Sequence, residues 1–209
     1  MDAVIAQHKP RLRTAAPSRT PWSAWTAPQE GPSDHRWHLT TPEQLATASS
    51  RIVMVSPQDA WWSLGATVAS LARHGHPVLL IEIATGTADH PAAAGPARQP
   101  AAFRHQTLRF DLPADALAPH EKALAEWLPV GSGDTVFVPW RHDGPAEHEA
   151  CARATLAACR TVNARCIEYP VSALDPSHGS HARLRRSVLQ CVRLPQAGVG
   201  PAACEWTIA

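Results

Sequence analysis

Apart from tryptophan, aromatic residues are scarce in this chain: one Tyr and three Phe stand against eight Trp. Tryptophan suits places where a flat apolar face must also offer a hydrogen-bond donor. Charge is sparse too, at 18% of residues with a net charge of +1. That balance argues against a nucleic-acid surface or a funnel for acidic substrates. The one dense basic spot, Arg183, Arg185 and Arg186, reads as a solvated helix face. The five cysteines (Cys151, Cys159, Cys166, Cys191, Cys204) form no Cys-x-x-Cys pair. Their odd count argues against a disulfide framework, so reduced thiols are expected. No apolar run approaches the ~20 residues that span a bilayer, and Met1–Thr14 has no apolar stretch of the signal-peptide kind. The expectation is a cytoplasmic protein with neither a nucleic-acid nor a membrane partner.

Two motifs are also missing. Gly65-Ala66-Thr67 is no Gly-x-Gly-x-x-Gly turn, which counts against dinucleotide binding. Ser63 lacks the Gly-x-Ser-x-Gly surround of an exposed nucleophile.

The length of 209 residues suits one domain with a sizeable core. Proline, at 20 residues, concentrates in 1–45 and 91–119. Residues 1–45 read as a Pro/Trp-rich arm, either disordered or, as Trp22, Trp25 and Trp37 favour, docked on the domain surface, and residues 46–209 as the domain itself. Thr41-Pro42-Glu43 is a helix start, with Thr41 as N-cap and Pro42 in the first turn.

From residue 51 short apolar runs alternate with helical stretches. Strands are predicted at 51–56, 77–84, 135–139 and 165–168, and helices at 63–74, 118–128, 146–160 and 181–189. On the helix over 146–160, His148, Cys151, Thr155 and Cys159 share one face by their spacing. Near-continuous apolar strands such as Val78-Leu79-Leu80-Ile81 imply burial on both faces, as in a parallel sheet. The predicted class is α/β, a Rossmann-like three-layer sandwich with a mainly parallel sheet. Segment 87–106 reads as a long surface loop near the strand ends.

The most informative run is Ser56-Pro57-Gln58-Asp59-Ala60-Trp61-Trp62-Ser63-Leu64-Gly65, between the first strand and its helix. The end of a parallel strand is where such folds place their chemistry. Three further segments accompany it: 84–91 (Ala84-Thr85-Gly86-Thr87-Ala88-Asp89-His90-Pro91), 134–150, and Glu168-Tyr169-Pro170-Val171. Together, in this order, they resemble the PIG-L/LmbE family of zinc-dependent de-N-acetylases over about residues 50–175. The family's first loop reads Pro-His-Pro-Asp-Asp-Glu before x-Leu-Gly, and Pro57, Leu64, Gly65, Gly75 and His76 keep its spacing.

The resemblance implies a zinc ion held by a loop His, a loop Asp and a later His, with another loop Asp as general base. Such a site needs three protein ligands and one open position for water. Aligned without a gap, the ligand His is Gln58 here, the base is Ala60, the ligand Asp is Trp61 and the next Glu is Trp62. In the later His-Pro-Asp-His stretch, Pro145 replaces the first His and His148 keeps the second. Only His148 matches a family zinc ligand, so no metal, no cofactor and no catalytic residue are expected.

The expected ligand pocket comprises Gln58, Asp59, Trp61, Trp62, Thr85, Gly86, Asp143 and His148. Trp61 and Trp62 have two readings: a stacking platform for a sugar ring, or a filling for the space left by metal and substrate. His148 reads as a vestigial ligand or, more readily, as a satisfied histidine near the pocket rim; His142 and Asp143 beside it also give the composition of an acid/base pair, though with no nucleophile or metal to serve. The resemblance thus implies a deacetylase-like pseudoenzyme that binds a glycosylated or N-acetylated small molecule, with a protein partner or a second copy of itself also open. The alternative is an active de-N-acetylase or amide hydrolase working through a rebuilt site, with zinc.

Overall fold

The computed structural model describes residues 37–46, 49–57, 63–85, 103–110, 116–175, 177–184, 186, 189–193 and 204–208. Its centre is a five-stranded, all-parallel sheet of β2 (Arg51–Pro57), β3 (Val78–Thr85), β4 (Phe103–Phe110), β5 (Asp134–Pro139) and β6 (Arg165–Tyr169). The strand order is β4-β3-β2-β5-β6. The helices are α1 (Pro42–Leu45), α2 (Gly65–Arg73), α3 (Glu121–Trp127), α4 (Ala146–Val162) and α5 (His181–Leu184).

Alternate residues of one strand face opposite layers. Ile52 and Met54 of β2 join Leu64, Val68 and Leu71 of the α2 layer. Val53 and Val55 join Leu124 of α3 and Ala150, Cys151, Ala154 and Cys159 of α4. With both faces covered, β2 reads as a continuous apolar run, and burying each large aliphatic side chain contributes about 1.5–3 kcal/mol. This is the predicted α/β sandwich.

The local signals behind these elements are specific. Thr41 and Gln44 close a capping box on α1, with Pro42 in the first turn. Helix α4 ends on Asn163 at φ 56°, a left-handed C-cap that Asn tolerates. All four predicted helix-face residues of α4, His148, Cys151, Thr155 and Cys159, are buried.

The structure departs from the sequence reading in four places. Trp37–Thr40 form strand β1, which pairs in parallel with β7 (Leu189–Arg193), and β7 pairs antiparallel with β8 (Cys204–Ile208). This small second sheet was not predicted, because each strand is short and its partners lie far away in sequence. The helix predicted over 181–189 stops at Leu184. Leu189 instead opens β7, where two ladders reward extended backbone more than one more helical turn would. Residues 103–106, predicted as loop, begin β4. β4 is polar (Phe-Arg-His-Gln-Thr-Leu-Arg-Phe) because it closes one end of the sheet, where charged residues are favoured. Finally, residues 118–120 of the predicted third helix form a separate 3-10 turn ahead of α3.

Among the described residues, no helix is long and apolar enough to cross a membrane.

Candidate site at the strand ends

The chain runs outward from β2 through β3 to β4, then returns to place β5 on the other side of β2. That reversal makes β2/β5 the topological switch point, and the crevice beyond the carboxyl ends of those strands is where open α/β sheets bind ligands. In chain order, β2 is followed by a connection to α2 and β5 by a connection to α4.

The second connection is fully described. Trp140 N donates to the Tyr169 carbonyl at 2.8 Å, extending the β5–β6 pairing by one residue. Arg141 then folds back on β6: its backbone N and its Nε each donate to Glu168 Oε1, at 2.8 and 3.0 Å, and its Nη2 closes on Oε2. The exposed His142 ring packs edge-on against Trp140, with centroids 5.4 Å apart.

Asp143 turns inward and is 0% exposed. Its Oδ1 accepts from the backbone N–H groups of Val171 (2.8 Å) and Ala173 (3.1 Å). Its Oδ2 accepts from Ser172 N (2.9 Å) and from His148 Nδ1 (2.7 Å). Burial pushes its pKa up, but the His148 contact and the three backbone donors outweigh burial and hold it below the usual carboxylate value. Asp143 therefore stays ionised. All its acceptor sites are used within the protein, so it orients its neighbours and is closed to direct contact with a ligand.

An ionised carboxylate can only accept, so His148 Nδ1 carries the hydrogen and Nε2 is the open nitrogen. The His148 side chain is 11% exposed. A carboxylate fixing Nδ1–H and presenting Nε2 is the arrangement that readies a histidine to accept a proton or ligate a metal. The acid/base pair considered from sequence is thus Asp143–His148, and His142 takes no part in it.

Two more histidines border this corner. Ser180 Oγ donates to the Asp143 carbonyl at 2.7 Å and lies 2.7 Å from His178 Nδ1, to which Ser180 N is also directed at 3.4 Å. His181 Nδ1 donates to the Ala173 carbonyl at 2.9 Å. Gly144, at φ +113°, makes room for the His178 ring: a Cβ there would meet His178 Cε1 at 2.1 Å.

Beneath the crevice, Ser56 at the end of β2 and Tyr169 at the end of β6 are both 0% exposed. Tyr169 Oη makes no well-formed hydrogen bond to protein atoms. Burial raises its pKa most, the nearby Ser56 hydroxyl opposes that, and the Cys151 and Asp143 charges add to it.

Of the predicted pocket, Asp143 and His148 are brought together. Thr85 closes β3, one strand beyond β2, and is half-buried. Gln58, Asp59, Ala60, Trp61, Trp62 and Gly86 lie outside the described residues. Sequence reasoning assigned no role to Val171–Ala173, His178, Ser180 or Tyr169. The only signal for them was the position of Tyr169 and Val171 in the Glu-Tyr-Pro-Val stretch. Among the described residues, no group of three or more His, Cys, Asp or Glu is arranged to hold a metal ion.

No protein-family model matches the chain, and no curated protein matches it. Solved structures give distant likenesses. One is an antimicrobial-reagent pseudoaglycone deacetylase, 19% identical, with a TM-score of 0.46 over 62% of this chain and 68% of that one. A second is a triple mutant of a deacetylase of the teicoplanin biosynthetic pathway, 18% identical, with a TM-score of 0.47 over 73% and 75% of the two chains. A third, N,N'-diacetylchitobiose deacetylase from Pyrococcus horikoshii, is 15% identical, with a TM-score of 0.29 over 69% and 60%. At these values they carry no functional argument, and the α/β class rests on the strand order itself.

Proposed function

We propose that this chain is a PIG-L/LmbE-like protein that binds a glycosylated or N-acetylated small molecule at the β2/β5 switch point without hydrolysing it through zinc. The observation that supports the reading is His148, whose Nδ1 is held by Asp143 so that Nε2 is left open; in the ungapped alignment His148 matches the family's later zinc ligand. The residues at the family's other ligand positions do not suit zinc. Counting from Pro57, the two other ligand positions are Gln58, whose amide oxygen is a weak donor, and Trp61, which has none. The family's base position, Ala60, has no group to move a proton.

The test uses untagged full-length protein and N-acetylglucosamine as probe. Metal content well below one zinc per chain, no amine release, and saturable binding by calorimetry support the reading. Near-stoichiometric zinc with amine release establishes the alternative, an active hydrolase with a rebuilt site. A second experiment tests the ungapped register: the triple change Gln58→His, Ala60→Asp and Trp61→Asp should increase zinc affinity, and no gain would overturn the assignment of those positions.

A further inference from the structure

We infer that His148 determines which ligand the site at the β2/β5 switch point accepts: its Nε2 takes a hydrogen bond from the N–H of a secondary amide. This role rests on the binding reading proposed above, and it names the ligand group that the imidazole meets. The ionised Asp143 has its oxygens filled by Val171 N, Ser172 N, Ala173 N and His148 Nδ1, at 2.7–3.1 Å. A neutral ring that donates from Nδ1 is an acceptor at Nε2. Nε2 itself makes no hydrogen bond among the described residues and is not sealed from solvent. The side chain as a whole is only 11% exposed.

The acceptor is held in place before any ligand arrives. His148 sits in the first turn of α4, beside the buried Ala150, Cys151 and Ala152. Its tether, Asp143, is anchored by three consecutive backbone donors, and the Asp143 carbonyl accepts from Ser180 Oγ at 2.7 Å. A group already fixed in this way loses little freedom on binding, so its hydrogen bond adds to affinity.

The direction of that bond decides the chemistry of the ligand. An atom placed at Nε2 must bring a hydrogen, which an amide N–H does and an ester oxygen or a carboxylate does not. A carboxylate would in addition face the Asp143 charge across the ring. A site built to receive a donor rejects the isostere that lacks it, because the acceptor gives up water and gains nothing in return. If His148 only tied the start of α4 to Asp143, ligand preference would not depend on Nε2. Sugar hydroxyls can donate as well, so a discriminating pair of probes must differ in a single group.

The experiment titrates the full-length chain by calorimetry with the methyl glycosides of N-acetylglucosamine and of 2-O-acetylglucose, which differ only in N–H against O. The wild type should bind the amide about tenfold more tightly. Nitrogen NMR of the histidine rings should show the His148 Nε2 signal moving as the amide binds, with Nδ1 still protonated. Equal affinity for the two probes, an Nε2 signal unmoved at saturation, or a ring protonated on both nitrogens overturns the assignment and leaves the binding reading intact. Binding of neither probe overturns that reading and the assignment with it. His148→Asn keeps a donor for Asp143 and removes the acceptor, so the preference should vanish; a preference that persists counts against the assignment. His148→Gln, whose amide oxygen can reach near the place of Nε2, should restore part of it. The wild-type comparison needs no variant to fold, so it stands alone.

Discussion

Asp143 and His148 are joined by a hydrogen bond of 2.7 Å between Oδ2 and Nδ1, across the turn that starts α4. The same carboxylate gathers three consecutive backbone donors, Val171 to Ala173, from the segment that follows β6. One side chain thus fixes both the tautomer of an imidazole and the path of a neighbouring connection.

Replacing Asp143 by Ala should therefore be costly. It leaves three backbone N–H groups and His148 Nδ1 without their acceptor, and each buried donor left unpaired costs about 1–3 kcal/mol. Urea unfolding measures it. In Asp143→Asn the amide NH2 must face donors in either orientation, Val171 and Ala173 N in one, Ser172 N and His148 Nδ1 in the other; stability should fall, or nitrogen NMR of the His148 ring should show a shift in its Nδ1–H/Nε2–H balance. An unchanged ring signal with full stability would contradict the described network.

Asp143 also predicts an acid limit. Its folded pKa lies below the unfolded carboxylate value of about 3.9. The unfolded chain therefore binds more protons in that range, and stability rises with pH. The contribution is fully present above about pH 5 and is lost as pH falls through 4 towards the folded pKa. In Asp143→Asn this slope should flatten, as read from unfolding free energies between pH 3 and 6 (about one to two decades either side of the unfolded value).

The Arg141–Glu168 pair predicts an asymmetry. The Glu168 side chain is 8% exposed and that of Arg141 38%. Arg141→Ala strands a buried carboxylate, so it should cost about 2–3 kcal/mol, while Glu168→Ala returns an accessible guanidinium to water at about 1–2 kcal/mol. Equal effects in thermal unfolding would mean that burial does not set the balance.

Gly144→Ala meets two obstacles, the positive φ of 113° and the His178 ring 2.1 Å from the new Cβ. The expected loss is about 2–4 kcal/mol. His178→Ala in the same chain should recover only part of it, because removing the ring relieves the clash and leaves the backbone strain. Full recovery would show that strain contributes nothing.

Tyr169→Phe removes a buried hydroxyl that lacks a well-formed partner. The change should be neutral or stabilising, within about 1 kcal/mol, whereas Tyr169→Ala should cost about 3–5 kcal/mol for the cavity. A large loss in the Phe variant would reveal that the hydroxyl's contact with Ser56 matters more than its geometry indicates.

The sequence by itself determined four strands of the central sheet, β2, β3, β5 and β6, whose apolar runs local pattern reveals, but not the polar β4 at its edge. It determined α1 and α4 through caps and periodicity, and it pointed to the connections after β2 and β5. It did not reveal β1, β7 and β8, whose stability comes from partners distant in the chain and whose own residues carry little bias. Nor did it reveal that Asp143 turns away from solvent: its donors are backbone N–H groups of Val171–Ala173, which have no residue signature. Only tertiary structure decided that His148 and not His142 is the imidazole so oriented, since hydrogen-bond partners are chosen by position in space and not by proximity in sequence.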